Sequence, residues 1–205
     1  MISFLSEYAH ILNVMLNAAM VLIWVAYLHF FTVNHLRQAR NVVHIDLGAA
    51  EGAHSRCLVT NLSAKPVYVQ AIVAELSSED HRSMTQITDK DEIRPEDVED
   101  PLSRTNRGTL QPGQTMDIGS LENLVSRARI HLSEDWNSDV VDEVTLTVVG
   151  ISGQAERIFA ASKTFKARNN ANGRAFVAQK VLTKQLRNRE TRAAFSKMLR
   201  DQPYK

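Results

Sequence analysis

Hydrophobic residues form one long block near the start of the chain, at residues 11–33. The block contains no Asp, Glu, Lys or Arg, and its strongly polar members are Asn13, Asn17 and His29. A helix needs about 20 apolar residues to cross the hydrocarbon core of a bilayer, which is about 30 Å thick. The pattern therefore predicts a transmembrane helix at residues 11–33, preceded by a short tail at residues 1–10.

The flanks of this block distinguish an anchor from a cleaved signal peptide. A signal peptide has a basic start, an apolar core of about 7–15 residues and a small-residue cleavage site. Residues 1–10 contain no Lys or Arg, and no such site follows the block. Basic residues collect on the cytoplasmic side of a span, and Arg37 and Arg40 follow it in a basic juxtamembrane linker, residues 34–41. We therefore expect a single-pass signal anchor in a bacterial inner membrane, with the C-terminal domain in the cytoplasm.

Short runs in which apolar and polar residues alternate extend from residue 42 to residue 168, as expected for β-strands. Turn-forming residues separate several runs, for example at residues 61–66 and around Pro112-Gly113. The runs at residues 143–151 and 157–167 predict a hairpin. Because long helical segments are absent between the runs, we expect a mainly β domain, an antiparallel β-sandwich of about six to eight strands with an immunoglobulin-like arrangement.

The alternation lapses between about residues 77 and 107, where nine acidic residues crowd together with Pro95 and Pro101. A segment this polar buries little apolar surface. It is therefore predicted to be an acidic loop of the sandwich, with a strand at residues 84–87 as one alternative. Residues 125–132 fit either a strand or a short helical turn.

From residue 169 the apolar residues recur at helical spacing, as at Ala178, Leu182 and Leu186. We therefore expect a basic C-terminal helix within residues 169–205. Twelve Lys or Arg residues lie from position 163 onward, against two acidic residues. Such a surface can be a solvated helix face, or it can bind a protein partner, the anionic inner leaflet or, less favoured, nucleic acid. The candidate residues for contact with an anionic surface are Arg37, Arg40, Lys180, Lys184, Arg187, Arg189 and Arg192.

The polar residues inside the apolar block predict a contact between helices. Asn13 and Asn17 are four residues apart and share one helix face, which continues roughly through Trp24. Asparagine in hydrocarbon tends to form a hydrogen bond with another helix. Asn13, Asn17 and Trp24 are therefore candidates for self-association or for docking to a partner's helix, although an Asn13 close to the headgroups would simply be solvated.

The chain offers little of the chemistry that enzymes use. Its seven histidines are scattered, and neither a zinc-protease motif nor a phosphate-binding glycine loop is present. The one cysteine, Cys57, lies in a predicted strand, which indicates a buried and inert thiol. We expect a protein that is not an enzyme and needs no metal or cofactor. A pocket that holds several of His44, His54, His81 and His131 would revive the enzyme alternative.

One resemblance follows from two stretches of the chain. Ile23-Trp24-Val25-Ala26-Tyr27-Leu28 leads into a basic flank, and residues 56–69 read Arg-Cys-Leu-Val-Thr-Asn-Leu-Ser-Ala-Lys-Pro-Val-Tyr-Val. In these stretches the chain resembles uncharacterised proteobacterial proteins with one N-terminal span and a cytoplasmic β domain. The resemblance covers roughly the first 75 residues. It implies that architecture and no activity, cofactor or site residue.

Together these features predict a membrane-anchored accessory or regulatory protein whose role is protein binding at the inner leaflet. The alternative is a tethered binder of anionic lipid or nucleic acid that acts through the basic C-terminal helix. No small-molecule substrate is evident from the sequence.

Overall fold

The computed structural model of the chain describes residues 2–38, 40–48, 55–78, 81–90, 101–132, 136, 141–152, 157–170 and 173–201. The chain divides into two compact units, residues 1–40 and residues 41–205. The first unit is a single helix, and the second is mainly β.

Helix α1 runs from Ile2 to Gln38, and its segment Tyr8–Leu36 is long and apolar enough to cross a membrane. The predicted apolar helix is thus confirmed. Its observed ends lie beyond residues 11–33, so most of the predicted tail and part of the linker are helical. The reason is that residues 1–40 contain no Gly or Pro, the residues that most often end a helix.

The second unit contains ten described strands, and all of their pairings are antiparallel. The strands are β1 Val43–Gly48, β2 Arg56–Asn61, β3 Val67–Ser77, β4 Arg82–Gln86, β5 Gly108–Leu110, β6 Thr115–Ser120, β7 Glu143–Ser152, β8 Arg157–Asn170, β9 Gly173–Ala178 and β10 Lys184–Leu186. The helices are α2 Leu121–Leu132 and α3 Arg189–Asp201, and a 3-10 turn covers Pro101–Arg104.

These strands form two sheets. The smaller sheet has the strand order β1-β2-β6. The larger sheet has the order β10-β8-β7-β3-β4, with β5 also paired to β3 and β9 also paired to β8. The hairpin expected at residues 143–167 is confirmed as the pair β7–β8.

The main hydrophobic core lies between the two sheets and is completed by helix α2. Strand β3 is apolar along nearly its whole length, yet only some of its residues face this core. Val67 and Val69 point into it before a bulge, and Ile72, Ala74 and Leu76 point into it afterwards. A bulge adds one residue to a strand and so shifts the alternation by one position. The residues between them, Ala71 and Val73, therefore face the opposite side of the sheet.

The predicted turns are built from the residues that the sequence suggested. The Asn61 side chain accepts a hydrogen bond from the Ser63 backbone N–H at 2.9 Å. Gly113 has a φ of 77°, which a glycine after Pro112 tolerates without the steric penalty of a Cβ. Residues 121–132, of which 125–132 were left open between strand and helix, form helix α2.

The C-terminal region departs from the prediction of one basic helix over residues 169–205. Residues 173–178 and 184–186 are strands, and the C-terminal helix is confined to Arg189–Asp201. The apolar residues at helical spacing serve two different elements, because β9 pairs with β8 through backbone hydrogen bonds while only Phe195, Met198 and Leu199 carry a helical face. That face packs against the outer side of the larger sheet, on Ala71, Val73, Val149 and Ala160.

The acidic segment is described only in part. Strand β4 covers residues 82–86, slightly before the predicted residues 84–87, and the isolated bridge Asp89–Thr105 joins residues on either side of positions 91–100. The predicted acidic residues between 91 and 100, together with Glu79 and Asp80, lie outside the described residues.

Candidate functional site

The first candidate contact surface is a row of residues along helix α1. Positions 13, 17, 20, 24, 27 and 31 succeed one another at alternating steps of four and three residues. Such a 3.5-residue period places them on one seam of a helix. We call this set the α1 seam; its members are Asn13, Asn17, Met20, Trp24, Tyr27 and Phe31.

The aromatic members of the α1 seam contact one another. The ring centroids of Trp24 and Tyr27 are 6.2 Å apart in an edge-to-face arrangement. Tyr27 stacks on Phe31 at 6.5 Å, and Phe31 stacks on His35 at 6.2 Å. The α1 seam therefore combines two amides at one end with a ladder of rings at the other, and all three predicted helix-contact residues, Asn13, Asn17 and Trp24, belong to it.

The second candidate surface comprises the basic residues that follow β9. The described side chains of Lys180, Lys184, Arg187 and Arg189 are all exposed. They do not share one helix as predicted, because they lie in a loop, in strand β10, in the following connection and at the start of α3. A continuous basic helix is therefore not the feature that gathers them.

The other three predicted basic residues differ from this group. Arg192 is only half exposed, and its guanidinium donates a hydrogen bond to the Arg187 backbone carbonyl. Arg40 is exposed beyond the end of α1, whereas the side chain of Arg37 lies outside the described part of the chain. Four of the seven predicted basic residues are thus exposed between positions 180 and 189, around strand β10.

Strands β9 and β10 pair with the same strand, β8, and are separated by a five-residue bulge. Ala178 lies opposite Phe165 and Lys184 lies opposite Ser162, so residues 179–183 face only two residues of β8. We call residues 179–183 the bulge loop. At its tip Val181 is 83% exposed and Leu182 is 78% exposed.

Both ends of the bulge loop are fixed by hydrogen bonds. The backbone N–H of Gln179 donates to the carbonyl of Thr164 at 2.9 Å. At the other end the backbone N–H of Ile45 in β1 donates to Oγ1 of Thr183 at 2.9 Å. These bonds hold the apolar tip away from the core rather than allowing it to fold back.

Gln185 strengthens the connection to β1. Its side-chain Nε2 donates to the Val43 carbonyl at 2.7 Å, and its Oε1 accepts from the Val43 N–H at 3.3 Å. An amide side chain thereby occupies the edge of β1 as a neighbouring strand would, which protects that edge from pairing with another chain.

An ion pair between a buried lysine and a largely exposed aspartate lies beside this connection. The side chain of Lys163 in β8 is 2% exposed, and its Nζ donates to Oδ1 of Asp46 in β1 at 2.9 Å. Partial burial acts to raise the pKa of Asp46, but the hydrogen bond and the positive charge of Lys163 outweigh it, so the pKa lies below the ordinary 3.8. Lys163, counted in the sequence among the basic C-terminal residues, is therefore a structural cation rather than a surface charge.

Cys57 is buried in strand β2, as expected of an inert thiol. Burial raises its pKa to about 12, with a further contribution from the negative charge of Asp117. The reactive thiolate is therefore scarce at neutral pH.

The described histidines occupy different surroundings. His44 lies 3.2 Å from Oγ1 of Thr183, while His81 contacts the ring of Trp136. His54 is outside the described residues. Within the part of the chain that the structure describes, no three His, Cys, Asp or Glu side chains are placed to hold a metal ion.

No protein-family model, curated protein or solved structure matches the chain. Function therefore rests on the surfaces described above: the α1 seam, the basic residues around β10 and the bulge loop.

Proposed function

We propose that the protein is a single-span accessory or regulatory binding protein that presents its β domain to a partner protein at a bacterial inner membrane. The observation that carries this proposal is α1, whose segment Tyr8–Leu36 exposes apolar side chains on all sides. An exposed apolar surface of this length is costly in water and favourable in a bilayer. The second unit has its own core between two sheets, as a domain held at a membrane surface requires.

The orientation that we propose places this domain in the cytoplasm. Arg37 and Arg40 follow the apolar segment, whereas no Lys or Arg precedes it. Basic residues close to a span favour the cytoplasmic side.

A topology experiment tests this orientation. We expect the full chain, fused at its C-terminus to a reporter active only in the cytoplasm, to give a signal that survives membrane isolation. The matched fusion to a reporter active only in the periplasm should give a background signal. A periplasmic signal would overturn both the orientation and the proposed inner-leaflet role.

For the β domain we propose an immunoglobulin-like arrangement. The orders β1-β2-β6 and β8-β7-β3 support it, since they correspond to A-B-E and G-F-C in that fold. The disulfide between strands B and F that antibody domains contain is absent, because Cys57 is the only cysteine. The apolar core between the sheets takes its place in stabilising the domain.

For α1 we propose that the seam docks against another helix, either a second copy or a partner's span. The two asparagines of the seam can form hydrogen bonds across such an interface, and its 3.5-residue period matches the packing of left-handed helix pairs. The opposite side of the helix, which includes Leu22, would then face lipid.

Photocrosslinking in native membranes tests this interface. We expect a photoreactive residue at position 17 to give a discrete protein adduct, and the same residue at position 22 to give none. Replacing both Asn13 and Asn17 by leucine should weaken the association about tenfold, because each interhelical hydrogen bond contributes about 0.6–2 kcal/mol. Equal adducts at positions 17 and 22 would contradict a specific seam.

A further inference from the structure

The tip of the bulge loop, Val181 and Leu182, is exposed although both ends of the loop are fixed by hydrogen bonds. We propose that it inserts Val181 and Leu182 into the interfacial region of an anionic phospholipid bilayer while Lys180 and Lys184 contact the phosphates. This inference rests on the proposed membrane anchoring, and it assigns the bulge loop as a second, reversible membrane contact.

The apolar tip is the first reason. Val181 and Leu182 are adjacent and are 83% and 78% exposed. A single exposed apolar residue is ordinary on a protein surface. Two adjacent aliphatic side chains at the tip of a projecting loop differ from that case, because they can enter an interface together without the rest of the domain.

The fixed ends of the loop are the second reason. The Gln179 N–H is bonded to Thr164, and Thr183 is bonded to Ile45. Because the loop is ordered before it meets lipid, little conformational entropy remains to be lost on insertion.

Charge complementarity identifies the occupant as an anionic lipid surface. Between residues 179 and 201 seven basic residues stand against Glu190 and Asp201. Lys180 and Lys184 flank the apolar tip directly, and both side chains are exposed. Apolar side chains bordered by lysines are typical of interfacial segments, where the long lysine side chains reach the headgroups.

The chain connection sets an upper limit on the distance between the apolar segment and the strand to which the bulge loop is bonded. Thr183 is bonded to Ile45, which lies in the first strand after α1 and nine residues after Leu36. Nine residues span at most roughly 30 Å when fully extended. The length of the chain therefore limits Ile45, the residue to which the loop is bonded, to within about 30 Å of Leu36.

Fluorescence of the full chain in proteoliposomes tests the inference. Leu182→Cys would be labelled with an environment-sensitive dye, since Cys57 is buried and its pKa is raised to about 12. In phosphatidylcholine–phosphatidylglycerol vesicles we expect a blue-shifted emission that doxyl groups on the lipid quench. The matched control is Ile130→Cys in α2, a position that is 75% exposed and should remain in water.

Variants that remove a positive charge test whether the blue shift of the dye results from contact with anionic lipid. Replacing Lys180 or Lys184 by glutamine in the Leu182→Cys background should lower the ratio of inserted to free loop roughly fivefold per lysine. In pure phosphatidylcholine vesicles the blue shift should be largely lost. An equal blue shift in neutral and anionic vesicles would overturn the inference. So would a dye at position 182 whose emission is no more blue-shifted than that of a dye at position 130.

The same sample distinguishes this inference from the proposed anchoring. If alkaline carbonate removes the protein from the vesicles, α1 does not span the bilayer, and both the anchoring and the loop proposal fail. If the protein remains in the vesicles while the dye at position 182 stays in water, only the proposal about the bulge loop fails.

Discussion

Gly150→Ala is expected to destabilise the β domain by about 2–3 kcal/mol, as overpacking of a well-filled site does. A Cβ at this position would lie 2.5 Å from Cζ of Phe159 and 2.6 Å from the backbone oxygen of Tyr68. Phe159 is opposite Gly150 on β8, and Tyr68 lies on β3 opposite Ile151, the residue that follows Gly150. The ring and a carbonyl on a paired strand would both have to move.

Gly108→Ala is the matched control, because a Cβ at Gly108 meets no atom within 4 Å. We expect the free energy of unfolding of this variant to lie within about 1 kcal/mol of the parent's value. Alanine lowers the entropy of the unfolded chain, and this gain offsets small losses of stability in the folded state. The free energy of unfolding of both variants can be measured by urea unfolding of the full chain in detergent. Thiol labelling of the buried Cys57 detects the unfolded fraction at each urea concentration. Equal midpoints for the two glycine variants would show that the close approach at Gly150 is not a constraint.

The sequence pattern predicts those strands whose alternation follows a single sheet face. Val144, Leu146 and Val148 alternate cleanly, and β7 begins at Glu143 as expected. Strand β3 also lies where the pattern placed it, but its bulge could not be anticipated, because the shift in phase depends on pairing with β7. Local alternation identifies a strand, whereas register and bulges arise from its neighbours.

The C-terminal region shows where apolar spacing misleads. Ala178 and Leu182 are four residues apart and suggest one helix face, yet Ala178 ends strand β9 and Leu182 lies at the tip of the bulge loop. The decisive contacts are backbone pairing with β8 and the side-chain bonds of Thr183 and Gln185 to β1. The partners of Thr183 and Gln185 are 138 and 142 residues away in sequence, so a local pattern contains no signal for these two contacts.

The candidate surfaces were predictable to different extents. The α1 seam contains Asn13, Asn17 and Trp24, which spacing alone placed on one helix face. The bulge loop was missed as an apolar feature, although Lys180 within it and Lys184 beside it were identified by charge. Val181 and Leu182 look like ordinary core residues until the fold shows them exposed.

The ion pair between Lys163 and Asp46 carries the second large prediction: the loss of stability should depend strongly on which of the two residues is replaced. Asp46→Ala should destabilise the domain by about 3 kcal/mol, near the lower end for breaking a buried pair, because the Asp46 side chain is 57% exposed and water screens part of the interaction. Lys163→Met, which removes the buried charge and retains the apolar volume, should change stability by about 1 kcal/mol or less. Equal losses in both variants would contradict an uncompensated buried ammonium as the cause.

The contribution of the same ion pair to stability should disappear in acid. Because the pKa of Asp46 in the folded state lies below the ordinary 3.8, its contribution to stability is complete above that value and is lost as the pH falls through the folded-state pKa. The difference in unfolding free energy between the parent and Asp46→Ala should therefore be constant near neutral pH and shrink progressively below about pH 4. Fluorescence of the buried Trp136 in a Trp24→Phe background measures it during urea unfolding in detergent. A difference that stays constant into strong acid would show that the Asp46 side chain stabilises the domain by packing rather than by its charge.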